Sequence, residues 1–173
     1  DDKAAAKSFE EALKIDSDHT LSNYQLGLSY VKMGRHEDAL EKFEKAIESD
    51  SRFPEAYFQM GSILAYLKQF KKAIDPLKKA TNLKPDFSQA YYELGNAYNH
   101  LNQYQKAIEP LEQVIRINNL HAGAYLALGL AHSKLRQYDP TIIHLRKALD
   151  LNPSNTKAYF PLGLSLIKKG RFE

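Results

Sequence analysis

Five glycines, Gly27, Gly61, Gly95, Gly129 and Gly163, stand 34 residues apart in a chain that has only eight. No other feature limits the fold so strongly. A fixed period of this length marks an array of similar units, none of which can bury its apolar face alone. Neighbouring positions keep the same spacing. Four residues before the glycines lie Asn23, Tyr57, Tyr91, Tyr125 and Tyr159. One residue before lie Leu26, Met60, Leu94, Leu128 and Leu162. Twelve after come Ala39, Ala73, Ala107 and Thr141; sixteen after, Phe43, Leu77, Leu111 and Leu145; nineteen after, Ala46, Ala80, Val114 and Ala148. Steps of three and four are helical, so each unit carries two amphipathic helices.

Gly34, Asn102 and Gly170 suit a left-handed position in the turn between the two helices. "LKPDFS" and "LNPSNT" mark a helix stop and restart between units. Asp86 with Gln89 predicts a capping box, and Pro54 suits a first helical turn. Glycine inside a helix costs about 1 kcal/mol relative to alanine. Close packing explains the repeated cost: a missing side chain lets the second helix approach, with small residues such as Ala73 and Ala80 meeting the glycine and tyrosine and leucine filling the flanks. These positions are architecture.

The stretch "AYYELGNAYNHLNQYQKAIEPLEQVIRIN" resembles a tetratricopeptide repeat, with tyrosine at the family's usual tryptophan. Five copies in register extend the resemblance over nearly the whole chain. It implies an all-α fold, a right-handed superhelical solenoid of helix–turn–helix hairpins. The chain divides as one array: residues 1–19 as the second helix of a truncated repeat, repeats at 20–53, 54–87, 88–121 and 122–155, and residues 156–173 as the first helix of another, with "GRFE" opening its turn. Ala5, Phe9, Ala12 and Leu13 fall on the apolar stripe of the first segment. Phe9, Phe160, Leu162 and Leu166 lie on apolar helices with no polar outer face, so the expectation is a fragment of a longer array or missing flanking residues.

Departures from the pattern carry expectations too. Pro76 and Pro110 fall inside second helices and should kink them, on an outer face where solvent hydrates the freed carbonyl; a hinge is the functional alternative. Pro140 falls in a first turn, and Pro161 should distort the last helix. His132 and Thr141 stand where tyrosine and alanine are usual, which predicts the loosest packing for the fourth full repeat.

Beside this architecture the chain shows little sign of chemistry. Twenty-four basic and 21 acidic residues give a net charge of +3, a mixed surface and no footprint for nucleic acid or anionic lipid. The absence of cysteine excludes disulfides and thiolate metal sites. No apolar run approaches the ~20 residues of a membrane span, and no signal peptide is visible. Walker, dinucleotide-binding, H-E-x-x-H and G-x-S-x-G motifs are absent. His19, His36, His100, His121, His132 and His144 share no i,i+3 or i,i+4 relation; His132 reads as a packed residue. No catalytic residue, cofactor or metal is expected, and the chain reads as a soluble non-enzyme, cytoplasmic by preference.

The family register implies that positions 2, 5, 9, 12 and 13 of each unit line a concave groove. They are Leu21, Tyr24, Leu28, Val31 and Lys32; Glu55, Phe58, Ser62, Ala65 and Tyr66; Gln89, Tyr92, Asn96, Asn99 and His100; Gly123, Leu126, Leu130, Ser133 and Lys134; and Lys157, Phe160, Leu164, Ile167 and Lys168. Position 5 is mostly aromatic, which the repeat does not require, and aromatics are favoured interface anchors. Packing on a neighbouring unit is the competing role for Tyr24 and its equivalents. Asn96 and Asn99 can donate and accept, and so hold a peptide backbone. Lys32, Lys134 and Lys168 would favour acidic flanks. The expected partner is a protein or peptide segment with apolar anchors. The family's clamp for acidic chaperone tails needs lysine at position 5, which never occurs, and position 6 reads Gln25, Gln59, Glu93, Ala127 and Pro161, so no binding to such tails is expected. Self-association through open repeat ends and a recruiting arm of an enzyme such as a glycosyltransferase are the alternatives. An RNA-binding reading lacks a basic groove and base-reading pairs.

Overall fold

The computed structural model describes residues 2–170, and the end of "GRFE" lies outside the described residues. Among the described residues every regular element is helical. Two compact units divide at residues 85 and 86.

The first unit holds α1 (Asp2–Ile15), α2 (Thr20–Lys32), α3 (His36–Ser49), α4 (Pro54–Tyr66) and α5 (Phe70–Leu83). The second holds α6 (Ser88–His100), α7 (Tyr104–Ile117), α8 (Ala122–Lys134), α9 (Tyr138–Leu151), a 3-10 turn (Thr156–Ala158) and α10 (Tyr159–Lys168). First helices start at 20, 54, 88 and 122, and second helices at 36, 70, 104 and 138, so the 34-residue period governs the backbone. Within the units α2 pairs with α3, α4 with α5, α6 with α7 and α8 with α9.

The turn inside each pair is a Schellman motif. The Arg35 N–H donates to the Tyr30 carbonyl at 2.9 Å and the Gly34 N–H to Val31 at 3.0 Å. The same two bonds recur at Gln69 and Lys68, Gln103 and Asn102, and Gln137 and Arg136. Gly34, Asn102 and Gly170 have positive φ, as their sequence suggests, and so do Lys68 and Arg136, at 59° each. Between pairs, Asp16, Asp50, Asn118 and Asn152 accept from the N–H two residues on. These Asx turns fall on the same 34-residue ruler, skipping Lys84. The capping box fails: α6 starts at Ser88 with Phe87 as its cap and no side-chain cap bond, leaving Asp86 outside the helix. Histidine caps α2 and α8, where His19 Nδ1 and His121 Nδ1 accept from the N–H three residues on at 3.2 and 3.0 Å.

The helical glycines face a partner other than the alanines. A Cβ on Gly27, Gly61, Gly95 or Gly129 would meet Phe43, Leu77, Leu111 or Leu145 at 2.4–2.7 Å, while one on Gly163 would meet nothing within 4 Å. Those large side chains are fully buried. Each occupies the space that its glycine leaves, while Ala39, Ala73, Ala107 and their neighbours seal the same interface.

Four other expectations change. Pro110 is buried, and Pro76 is half-buried and lines a cavity with Ile47 of the preceding pair and Tyr57 and Met60 of its own, so this row packs instead of facing out. The carbonyls left without a donor belong to Lys72 and Lys106, both exposed. His132 and Thr141 are buried and bonded: His132 Nδ1 lies 2.6 Å from Gln137 Oε1, and the Thr141 hydroxyl donates to the Gln137 carbonyl at 2.7 Å. Satisfied polar groups pack like the apolar residues they replace, so the fourth repeat is not loosened there. In α1 it is Ala6 that is buried; Ala12 is exposed, because only the face meeting α2 is covered. Leu162 is nearly buried against Ile142, Leu145 and Ala158. Pro161 acts as expected: without an N–H it sits in the first turn of α10, and the residues before it form the 3-10 turn.

Candidate functional site

In the second unit the sequence-predicted residues come together. One cavity of about 370 Å³ is lined by Tyr92, Asn96, Asn99 and His100 from α6 and by Leu126, Leu130 and Lys134 from α8. A second, of about 690 Å³, is lined by Leu130, Lys134, Phe160, Leu164 and Lys168. Leu130, Lys134 and Lys157 belong to both, so the two form one continuous surface. Phe160 is 81% exposed, an unusual state for a phenylalanine.

Local chemistry shapes this wall. The Tyr92 ring lies 4.7 Å from the His121 ring, and its hydroxyl occupies the place of a Cβ at position 123, which Gly123 leaves free. Asn99 Nδ2 donates to the Ala127 carbonyl at 3.3 Å, tying α6 to α8, and its Oδ1 is buried without a partner. Asn99 is therefore committed partly to structure, and Asn96 is the carboxamide left open at the surface. Burial raises the Glu93 carboxyl above its ordinary range, and His100 partly offsets this.

Three of the larger lining groups escaped the sequence reading. Arg136 is the left-handed turn residue, and Tyr104 and Tyr138 open the second helices. A signal existed: positions 36, 70, 104 and 138 carry His, Phe, Tyr and Tyr at the same spacing. The reading of no basic groove is corrected as well. Lys134, Arg136, Lys157 and Lys168 all line the larger cavity. Net charge averages over the chain and hides such clustering.

In the first unit the predicted residues serve packing more. Tyr24 lies 5.6 Å from the Phe43 ring and 4.7 Å from the Phe53 ring, both within its own repeat, and Leu28 packs on the same core. Phe58 and Ser62 are half-buried. Tyr66 is 72% exposed, its ring 5.0 Å from that of His36. Lys32 is paired with Asp2 at 3.3 Å and Glu55 with Lys84 at 3.0 Å.

Among the described residues no group of three or more His, Asp or Glu is placed to hold a metal ion, and no helix is long and apolar enough to cross a membrane. His132 and His144 do stack, with centroids 5.3 Å apart. Burial, helped by the His132 charge, lowers the His144 pKa to about 4.

Family models place the chain. A model described as TPR repeat matches residues 27–67 and 61–101, and models described as tetratricopeptide repeat match residues 88–119 and 122–155. No curated protein matches the chain significantly in sequence. Among solved structures, MamA is 30% identical over 91% of this chain and 92% of its own, with a TM-score of 0.83. MamA from Desulfovibrio magneticus RS-1 is 28% identical over 87% of this chain and 85% of its own, at 0.80. YrrB, a TPR protein with an unusual peptide-binding site, is 24% identical over 91% of this chain and 81% of its own, at 0.83, which shows a shared fold. The chain belongs to the tetratricopeptide repeat family.

Proposed function

We propose that this chain is a non-catalytic interaction module that binds a peptide or helix of a partner protein along the surface of α6, α8 and α10. The observation that carries the reading is the continuity of the two cavities, which places Leu126, Leu130 and Phe160 on one concave wall with the open carboxamide of Asn96. Apolar pockets with a few placed polar groups are the usual form of a ligand site. Exposed apolar side chains anchor a bound segment, and the carboxamide both donates to and accepts from its backbone. YrrB, which has a peptide-binding site, supports the reading only through its fold.

A displayed random peptide library tests it. The chain should retain a defined set of peptides, and a Tyr92→Ala, Asn96→Ala, Leu126→Ala variant of equal helicity should lose them. Retention of nothing, or of the same peptides by both proteins, refutes binding at this wall.

A further inference from the structure

The ligand's chemistry is written in the charges of the same wall, an inference that rests on the reading above. Four of the ten Lys and Arg residues between 86 and 173 line the two cavities, and none of the seven Asp and Glu residues does. Several cations elsewhere have carboxylate partners: Lys32 has Asp2, Lys42 and Lys45 have Glu41, Lys84 has Glu55, and Arg35 has Asp38 at 2.7 Å. Lys134, Arg136, Lys157 and Lys168 have no carboxylate within ion-pair distance among the described residues. Asp139, next to the lining residue Tyr138, is held by Lys169 at 2.8 Å. The cavity thus gathers like charges and leaves them uncompensated, which repels within the free chain and attracts an anion.

The anion has to bring apolar groups as well. Leu130, Phe160, Pro161 and Leu164 lie among the four cations in one concavity of about 690 Å³. We infer that the groove takes an acidic segment of a partner protein, with carboxylates facing Lys134, Arg136, Lys157 and Lys168 and an apolar side chain seated against Phe160. A flat membrane surface does not reach charges arranged around a concavity. Single-stranded nucleic acid stacks successive bases on successive aromatics; Tyr138 and Phe160 line this cavity and Tyr92 and Tyr104 the adjoining one, so poly-uridine is the probe that separates that ligand from a peptide.

The experiment extends the library selection with a Lys134→Glu, Lys157→Glu variant of the whole chain, checked for unchanged helicity. Selected peptides should be enriched in Asp and Glu around Leu, Phe or Trp. Their affinity should fall about ten-fold in that variant and about as much between about 50 mM and about 300 mM salt. A Phe160→Ala variant should weaken the same peptides without changing their salt dependence. Poly-uridine and vesicles of phosphatidylserine and phosphatidylcholine are the competing probes. Neutral or basic peptides that still need Tyr92, Asn96 and Leu126 would overturn the acidic ligand and leave the binding module standing. Tighter binding to poly-uridine or vesicles than to any peptide, lost in the Lys→Glu variant, would overturn it in favour of that class. Retention of no peptide at all would overturn both readings.

Discussion

At Gly95 and Gly129 two opposing effects meet. Alanine there would gain about 1 kcal/mol of helix propensity. Its Cβ would lie 2.5 Å from Leu111 Cγ or 2.4 Å from Leu145 Cδ2, and both leucines are fully buried. Overpacking of this kind costs about 1–3 kcal/mol, so Gly95→Ala and Gly129→Ala should each lose about 1 kcal/mol net. Gly163→Ala meets nothing within 4 Å and should gain up to about 1 kcal/mol. Urea midpoints of the three variants check this, and equal responses would show that the facing leucine is not the reason for the glycine. A second residue-scale test concerns Lys68, a left-handed residue at the position that Gly34 holds in the preceding turn. Left-handed backbone costs a side-chain-bearing residue about 1–2 kcal/mol, part of which glycine returns as lost entropy, so Lys68→Gly should stabilise by about 0.5–1 kcal/mol. An unchanged or lower midpoint would mean that Lys68 makes a compensating contact.

Helices were legible because their signals are local. Apolar steps of three and four and a 34-residue ruler predict where helices pair, and the observed starts follow that ruler. Contacts between helices were not legible. Thr141 and His132 break the apolar pattern in sequence, yet both are buried with a partner: His132 finds Gln137 across the turn, and Thr141 donates to the Gln137 carbonyl at the start of its own helix. The His132–His144 stack is invisible to any i,i+4 search, because it joins α8 to α9 across twelve residues of chain. It leads to a prediction at this scale. His144 ionises in the unfolded chain near 6.5 but in the folded chain only near about 4. Between these values the unfolded state binds more protons, so this contribution is complete above 6.5 and is lost as pH falls toward 4. The melting temperature should therefore drop more between about pH 7 and about pH 4.5 for the parent than for His144→Leu. Parallel pH profiles for the two proteins would show that His144 protonates freely in the fold.

For the molecule as a whole, the sequence located the walls of the candidate site better than its chemistry. Family register named Tyr92, Leu126, Leu130 and Phe160, and the structure puts all four in the cavities. It named Tyr24 and Leu28 equally, and these pack half-buried against the first unit's core, because register fixes a direction and not what stands in front of it. Charge clustering was legible in part: register put Lys134, Lys157 and Lys168 on the groove face, while Arg136 reaches the cavity from a turn that the register does not cover. All lining residues of both cavities fall within residues 86–170, the unit that also buries Leu94, Leu111, Leu128 and Leu145. A unit of this size with its own core is large enough to fold alone. Residues 86–173 expressed separately should thus keep a cooperative helical melt and bind the selected peptides within about three-fold of the whole chain, a difference below 1 kcal/mol. A folded fragment that binds ten-fold more weakly would move part of the site into the first unit, and Tyr66, exposed and aromatic, would be the first residue to substitute there.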